Sequence, residues 1–406
     1  MRTMKLSSLG TLRNGMNYDK SSAKRGCKII GVADFAGHVF PDYSTLSEID
    51  TSIVSKDDLL KDGDILFVRS NGNKNLVGRT MYIYGITEPI CYSGFCIAFR
   101  PDVTLVCPEY LFYALRAPFC KKQYSYSQQT NITNLSQGVL GAVEVPIPDL
   151  DTQRKLAKIL FALDQKISLN THICSELESM AKTLYDYWFV QFDFPDENGR
   201  PYRASGGEMV WNPQLKREIP KGWESGKLSD IANITMGQSP AGESYNETGD
   251  GMVFYQGRTD FGMRFPTTRM YTTAPTRFAH KGDILLSVRA PVGDLNIAME
   301  DCCIGRGLAA LKSKVGSQMY VFYTLSGLKP IFDVMDGNGT TFGSITKDTL
   351  FGLNVVIPTN FQLQKFEKRV KPIEDQIQIC EQENRELIKL RDWLLPMLMN
   401  GQAQVE

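Results

Sequence analysis

The chain has 406 residues with 45 basic and 45 acidic side chains, and 42% of it is hydrophobic. That length suits two or three domains with well-buried cores. Zero net charge excludes a protein that grips nucleic acid by bulk charge alone.

Charge is also even along the chain. Basic and acidic residues number 16 and 14 in 1–150, 10 and 10 in 151–222, 12 and 13 in 223–360, and 7 and 8 in 361–406. Any affinity for phosphate must come from local clusters or from a basic partner. No apolar run approaches the ~18 residues that cross a membrane. The opening MRTMKLSSLG lacks an apolar signal core, which predicts a cytoplasmic protein without a membrane partner. Nine cysteines without CxxC or zinc-type spacing predict reduced, mostly buried thiols.

Residues 1–150 read as a mixed α/β domain. Strands are predicted at Lys28–Val32, Asp64–Arg69 and Arg79–Tyr84, separated by Gly, Asn and Asp turns. Pro108–Ala117 reads as a helix with Leu111, Phe112 and Leu115 on its apolar face. Val143–Pro148 is a last strand, and Asp151 or Thr152 is placed to cap the helix that follows.

That helix covers residues 151–190. Leu156, Leu160, Leu163, Ile167, Cys174, Leu177, Ala181, Leu184 and Trp188 recur at spacings of three and four, with Asn170 as the polar member. Such a stripe is a heptad seam over more than four heptads, and ~38 residues at ~1.5 Å each span roughly 57 Å. Residues 191–222 are richer in Pro, Gly and charge and hold no period. They predict an ordered connector, because Phe192, Phe194 and Trp211 lie in it or at its edge and Trp223 follows.

Residues 223–360 then repeat the first domain. Lys5–Leu9 matches Lys227–Ile231, and Asp62–Arg69 matches Lys281–Arg289, with Arg289 in the place of Arg69. Tyr110–Leu115 matches Tyr320–Leu325, and Asn131-Ile-Thr matches Ser344-Ile-Thr. Gln153 matches Gln364. Residues 361–406 repeat the long helix at an offset of 210: Phe366, Val370, Ile373, Ile377, Cys380, Asn384, Leu387, Arg391, Leu394 and Leu398. The order is domain, long helix, domain, long helix, a tandem duplication of an α+β unit. The two seams are most simply buried against each other. Divergence concentrates in loops, which suggests two readers of two different targets.

The sequence holds no GxxxxGK[ST] loop, HExxH or GxSxG motif. Gly337–Gly343 misses GxGxxG by one position and fits an Asn-Gly turn. No Asn/Asp-Pro-Pro-aromatic tetrad of an amino-methyltransferase is present, and His38, His172 and His280 lie in distant segments. The expectation is no catalytic, cofactor or metal residue in this chain.

Binding residues are better represented. Arg69, Ser70, Asn71, Asn73 and Lys74 follow a strand and carry donors for base edges or phosphates, although such a run also fits a plain turn. Lys121, Lys122, Gln123, Tyr124, Tyr126 and Gln128 mix cations, amides and aromatics, and a solvated loop is the bland alternative. In the second domain Arg258, Arg264, Arg269 and Arg277 gather in a loop-rich region with few acids, joined by Arg289, Asn338 and Thr340.

The whole pattern resembles the specificity (S) subunit of a type I restriction-modification system. The most specific likeness lies in Trp188-Phe189, Phe194–Tyr202, Ser205–Val210 and Glu218–Trp223, with Leu394–Gly401 resembling the family's C-terminal helix end. The resemblance implies that 1–150 and 223–360 are target-recognition domains, each reading half of a bipartite double-stranded DNA site. It implies an antiparallel coiled coil with pseudo-twofold symmetry whose length sets the spacer. It further implies two methyltransferase (M) subunits docked on this chain and restriction (R) subunits able to join. S-adenosylmethionine, ATP and Mg would belong to those partners. The first domain departs from the family pattern by lacking an Ile-Pro-x-Gly-Trp entry. The competing reading is a non-catalytic coiled-coil scaffold with two protein-binding domains.

Overall fold

The computed structural model describes residues 2–19, 26–73, 76–125, 134–289, 291–337 and 343–403. Contacts divide the chain into two units, Met1–Thr171 with Glu383–Glu406, and His172–Gln382. Each unit therefore combines a mixed domain with stretches of both long helices.

In the first unit the strand Arg2–Lys5 pairs antiparallel with Glu144–Ile147, so the domain's two ends meet beside the start of the long helix. An entry strand thus forms without the Ile-Pro-x-Gly-Trp sequence. Gly10–Asn14, Cys96–Pro101, Ile65–Val68 and Thr80–Tyr82 form an antiparallel sheet in that order. A second sheet, Ser47–Ile49, Cys27–Ile30 and Ile90–Tyr92, contains one parallel pair. The helix Pro108–Arg116 begins with proline, whose missing N–H costs nothing in a first turn. Its Tyr110 hydroxyl donates to the Pro146 carbonyl at 2.8 Å and ties it to the closing strand.

The second unit repeats this plan. Glu224–Lys227 pairs with Asn354–Ile357. Ala232–Met236, Leu308–Ser313, Ile284–Ser287 and Leu295–Ile297 rebuild the four-stranded sheet. Its other sheet has five strands, again with one parallel pair, Met252–Tyr255 beside Cys302–Ile304. Tyr320 donates to the Val356 carbonyl as Tyr110 does to Pro146.

The first long helix runs over Leu150–Tyr185 and ends in a π-helical turn at Asp186–Val190. Its cap is Asp149, which accepts from the Thr152 amide at 2.9 Å and the Thr152 hydroxyl at 2.7 Å; Asp151 and Thr152 already lie inside the helix. The second runs over Asn360–Met399. Gln364 is not the counterpart of Gln153. Gln153 is buried, accepting from the Cys107 amide and donating to the Pro148 carbonyl at 2.8 Å each. The buried residue at the 210 offset is Leu363, and Gln364 is exposed.

Within the first unit the helix segments run in opposite directions. Asn170 donates to Glu383 at 2.8 Å, Asn384 to the Ile167 carbonyl at 3.3 Å, and Arg391 to Asp164 at 2.8 Å. Leu156 and Leu160 share a core with Leu398 and Met399. Within the second unit Ala181, Tyr185 and Trp188 pack with Phe366 and Val370 in one core, Ile377 and Cys380 lying nearer Cys174. Leu163, Ile167, Leu177, Leu184, Ile373, Leu387 and Leu394 are half-buried seam members.

The connector is ordered by aromatic packing. Phe194 stacks between Tyr202 and Trp223 with ring centroids 4.7 and 5.0 Å away, and Arg217 lies 4.4 Å over the Phe192 ring. Met209–Asn212 and Arg217–Pro220 form its hairpin. Trp211 is the exception, exposed on that hairpin.

One polar contact recurs where each domain meets its helices. In the first unit the Tyr113 hydroxyl donates to Asp164 at 2.8 Å, and Arg391 donates to the other carboxylate oxygen. In the second the Tyr323 hydroxyl donates to Glu374 at 3.0 Å, with Arg264 at 3.4 Å. Both pairs stand 210 residues apart. Burial holds both tyrosines far above their ordinary pKa, so they remain donors at any physiological pH.

Removing one member of a buried charge pair leaves the other uncompensated, at a cost of about 3–5 kcal/mol. Asp164→Ala and Arg264→Ala are therefore expected to lose that much stability in urea unfolding. Arg277→Ala, at an exposed position, should change it by less than about 0.5 kcal/mol. Equal effects at Arg264 and Arg277 would contradict the buried-contact account.

All nine cysteines are free, eight of them buried. Burial pushes the Cys96, Cys174 and Cys302 thiols up to about 12. Only the thiolate alkylates, so at pH 8 these residues should resist iodoacetamide until the protein unfolds, with reactivity rising toward pH 12. Rapid labelling of the native chain at pH 8 would contradict that burial.

Candidate functional site

The candidate residues are spread over the ends of the four-stranded sheets, the helix Pro118–Ser125 and the segments between strands of the second domain's five-stranded sheet. Ile65–Val68 delivers Arg69, whose Nη1 lies 3.4 Å from the Gly94 carbonyl, a long contact that leaves the half-buried guanidinium weakly held. Ser70 bridges to Asn134, and Asn71 turns the chain by accepting from the Asn73 amide at 2.8 Å. Lys74 lies outside the described residues.

Arg289 does not occupy the place of Arg69. Ser70 bridges Asn134 and Arg289 bridges Ser344, and these two bridges are equivalent, so Ser344 corresponds to Asn134 and not to Asn131. Likewise Leu135 donates to the Arg69 carbonyl and Ile345 to that of Val288. The counterpart of Arg69 is thus the buried Val288, and that of Ser70 is the exposed Arg289. Adjacent strand residues face opposite sides, so the two arginines are presented differently. The extra residue in Lys281–Arg289 hid this one-position slip.

Lys121 and Lys122 stand exposed on a helix, Pro118–Ser125, rather than in a loop. Gln123 is committed to structure. Its amide donates to the Glu144 carbonyl and accepts from the Glu144 N–H, both at 2.8 Å, completing the edge of the closing strand. Tyr124 is buried, donates to the Leu115 carbonyl at 3.0 Å and packs edge-on against Phe67, so its ring cannot stack on a base. Tyr126, Gln128, Asn338 and Thr340 lie outside the described residues.

The arginines of the second domain are not short of acids. Arg258 pairs with Asp294 at 2.5 Å and Arg269 with Asp260 at 3.0 Å. Burial works against the Asp294 charge, but bonds from Arg258 and Lys329 outweigh it and hold its carboxyl below the ordinary range. Arg264 is only 2% exposed. It lies 4.1 Å over the Phe322 ring and pairs with Glu178 and Glu374, so it is withdrawn from any outer surface. Arg258, Arg277 and Arg289 remain exposed, Arg258 while paired.

Sequence reasoning missed the tyrosine–carboxylate contacts. The signal was present, because Tyr113 and Tyr323, and Asp164 and Glu374, obey the same 210 offset as the seam. Acids beside an apolar stripe read as solvated until their partners are known. Among the described residues, no group of three or more His, Cys, Asp or Glu side chains forms a metal site. Nor is any described helix long and apolar enough to cross a membrane.

Comparison with known proteins accounts for this architecture. The model of the type I restriction modification DNA specificity domain matches residues 1–179 and again 220–389. A putative type I restriction enzyme MjaX specificity subunit of Methanocaldococcus jannaschii is 31% identical, the alignment covering 98% of this chain and 92% of that one. The HindI specificity subunit of Haemophilus influenzae is 24% identical over 84% of this chain and 87% of its own length. The crystal structure of a type I restriction-modification S subunit from M. genitalium has the same fold, with a TM-score of 0.58 at 17% identity over 98% of this chain and 95% of that one. With a family domain matched in both halves and a relative aligned over nearly its whole length, the chain belongs to the type I restriction-modification DNA specificity family and is a specificity subunit.

Proposed function

We propose that this chain is a non-catalytic reader of a two-part double-stranded DNA target. The first mixed domain, within 1–150, reads one part and the second, within 223–360, reads the other. The observation that carries this reading is one scaffold built twice on equivalent tyrosine–carboxylate contacts, with unlike loops at the sheet ends. Selection for two different sequences explains loops that diverge while the frame does not.

The long helices act in this reading as an antiparallel coiled coil with pseudo-twofold symmetry, whose length sets the unread spacer. The opposed contacts within each unit support it. Two methyltransferase subunits dock on this frame and restriction subunits join them. S-adenosylmethionine, ATP and Mg bind those partners, and the reaction takes place in the cytoplasm. The near-neutral charge fits a subunit whose complex, rather than the chain alone, holds the DNA.

Co-expression with the methyltransferase subunit of the same host, followed by mapping of methylated bases, tests the reading. A gapped two-part motif that disappears without this chain is expected. Exchange of residues 1–150 for the corresponding domain of another specificity subunit should change one half of the motif only; a change in both halves would end the modular account. Arg289→Ala should weaken recognition of one half-site by about 1–3 kcal/mol if its guanidinium pairs with guanine. A uniform loss across sequences would assign it to phosphate instead.

A further inference from the structure

A second concentration of positive charge lies in the first unit, away from the exposed tip of the Arg69–Asn73 loop. A cavity of about 420 Å³ opens between the strand edge at Gly78–Thr80, the end of the helix Pro108–Arg116 and the last turns of the second long helix. Arg79, Arg116, Lys121 and Arg391 line it, with His38, and among the described residues the only acid in its wall is Asp392.

Its charges do not cancel. Asp164, behind the wall, is already bonded through one oxygen to Arg391 and through the other to Tyr113. Arg116 reaches that carboxylate only at 3.7 Å, and its buried Nη1 has no hydrogen-bond partner. Asp392 is bonded to Arg391 as well. Arg79 and Lys121 are exposed, and neither pairs with a carboxylate among the described residues. Four cations thus face two carboxylates, an excess of two charges around one concavity. A buried guanidinium nitrogen without an acceptor is costly, which makes an incoming anion favourable there.

We propose that this cavity seats a phosphate group. Guanidinium forks and an ammonium converging from separate elements match the several oxygens of a phosphate better than a single planar carboxylate. Position favours the DNA backbone as its source. Arg79 accepts from the Val68 amide across the base of the loop that carries Arg69, Ser70 and Asn71. A backbone phosphate held at Arg79 and Lys121 would register the strand against that loop, a positioning contact rather than a sequence-reading one. This assignment rests on the DNA-recognition reading; a free phosphate is the other source of the same chemistry.

The double variant Arg79→Ala/Lys121→Ala changes two exposed side chains, so its fold can be verified by circular dichroism before binding is measured. Full-length chain is titrated onto a random-sequence duplex across a range of salt, and its melting temperature is followed with inorganic phosphate. For a backbone phosphate, the variant should bind roughly tenfold more weakly at low salt. Its plot of log K against log salt should be shallower by about one, the share of a single phosphate. Unchanged duplex binding with a phosphate-induced rise in melting temperature lost in the variant would assign the cavity to a free phosphate. Unchanged duplex binding and an unchanged phosphate response in a folded variant would overturn the proposal. A wild-type chain that bound no duplex, yet kept a phosphate response lost in the variant, would support the cavity while removing its DNA role.

Discussion

A tyrosine hydroxyl pointed at a carboxylate on a long helix governs how each mixed domain is held. Tyr113 meets Asp164 and Tyr323 meets Glu374, and all four groups are largely excluded from water. A carboxylate in such surroundings tolerates little displacement, because loss of its donors leaves a charge whose desolvation costs several kcal/mol. Apolar packing alone accepts small slides of one surface over another. The polar contact removes that freedom and so fixes the angle at which a domain leaves its helix.

The third member of each contact comes from a different place. In the first unit it is Arg391, from the second long helix; in the second it is Arg264, from a domain segment whose first-half counterpart carries Val39, since the Val39 and Arg264 carbonyls accept from the equivalent Tyr82 and Ile297 amides. The duplication thus conserved the carboxylate and the hydroxyl while the compensating cation was recruited independently. This also explains why a positive cavity survives in the first unit. There Arg116 and Arg391 share one carboxylate, whereas in the second unit Arg264 is served by both Glu178 and Glu374.

These contacts and the Tyr110 and Tyr320 bonds to the closing strands hold the frame from positions outside the sheet-end loops. The second domain's additional strands, Tyr245–Asn246 and Phe278–Ala279, were accommodated at the outer sheet without altering the four-stranded one. Hydrophobic burial in that inner sheet, from Ile65 and Phe67 in one copy and Ile284 and Leu286 in the other, is insensitive to what the loops become.

The amino-acid sequence by itself determined the order of domains, the two long helices and the repeat. Periodicity and chain order are local or nearly local properties, and apolar positions at three- and four-residue spacings must find a shared seam. It also placed the helix over Pro108–Ala117 and the closing strand over Val143–Pro148 to within a residue or two. Only the tertiary structure decided which polar residues are free. Arg264, Gln123 and Tyr124 have the composition of a nucleic-acid surface, yet each is consumed by a partner on another element: Glu374, Glu144 and Leu115. The one-residue slip between Arg69 and Arg289 was likewise invisible, since strand register is set by hydrogen bonds to Asn134 and Ser344 on remote segments. Charge and hydrogen-bonding capacity are written in the residue; whether they remain available depends on what the fold brings within 3 Å.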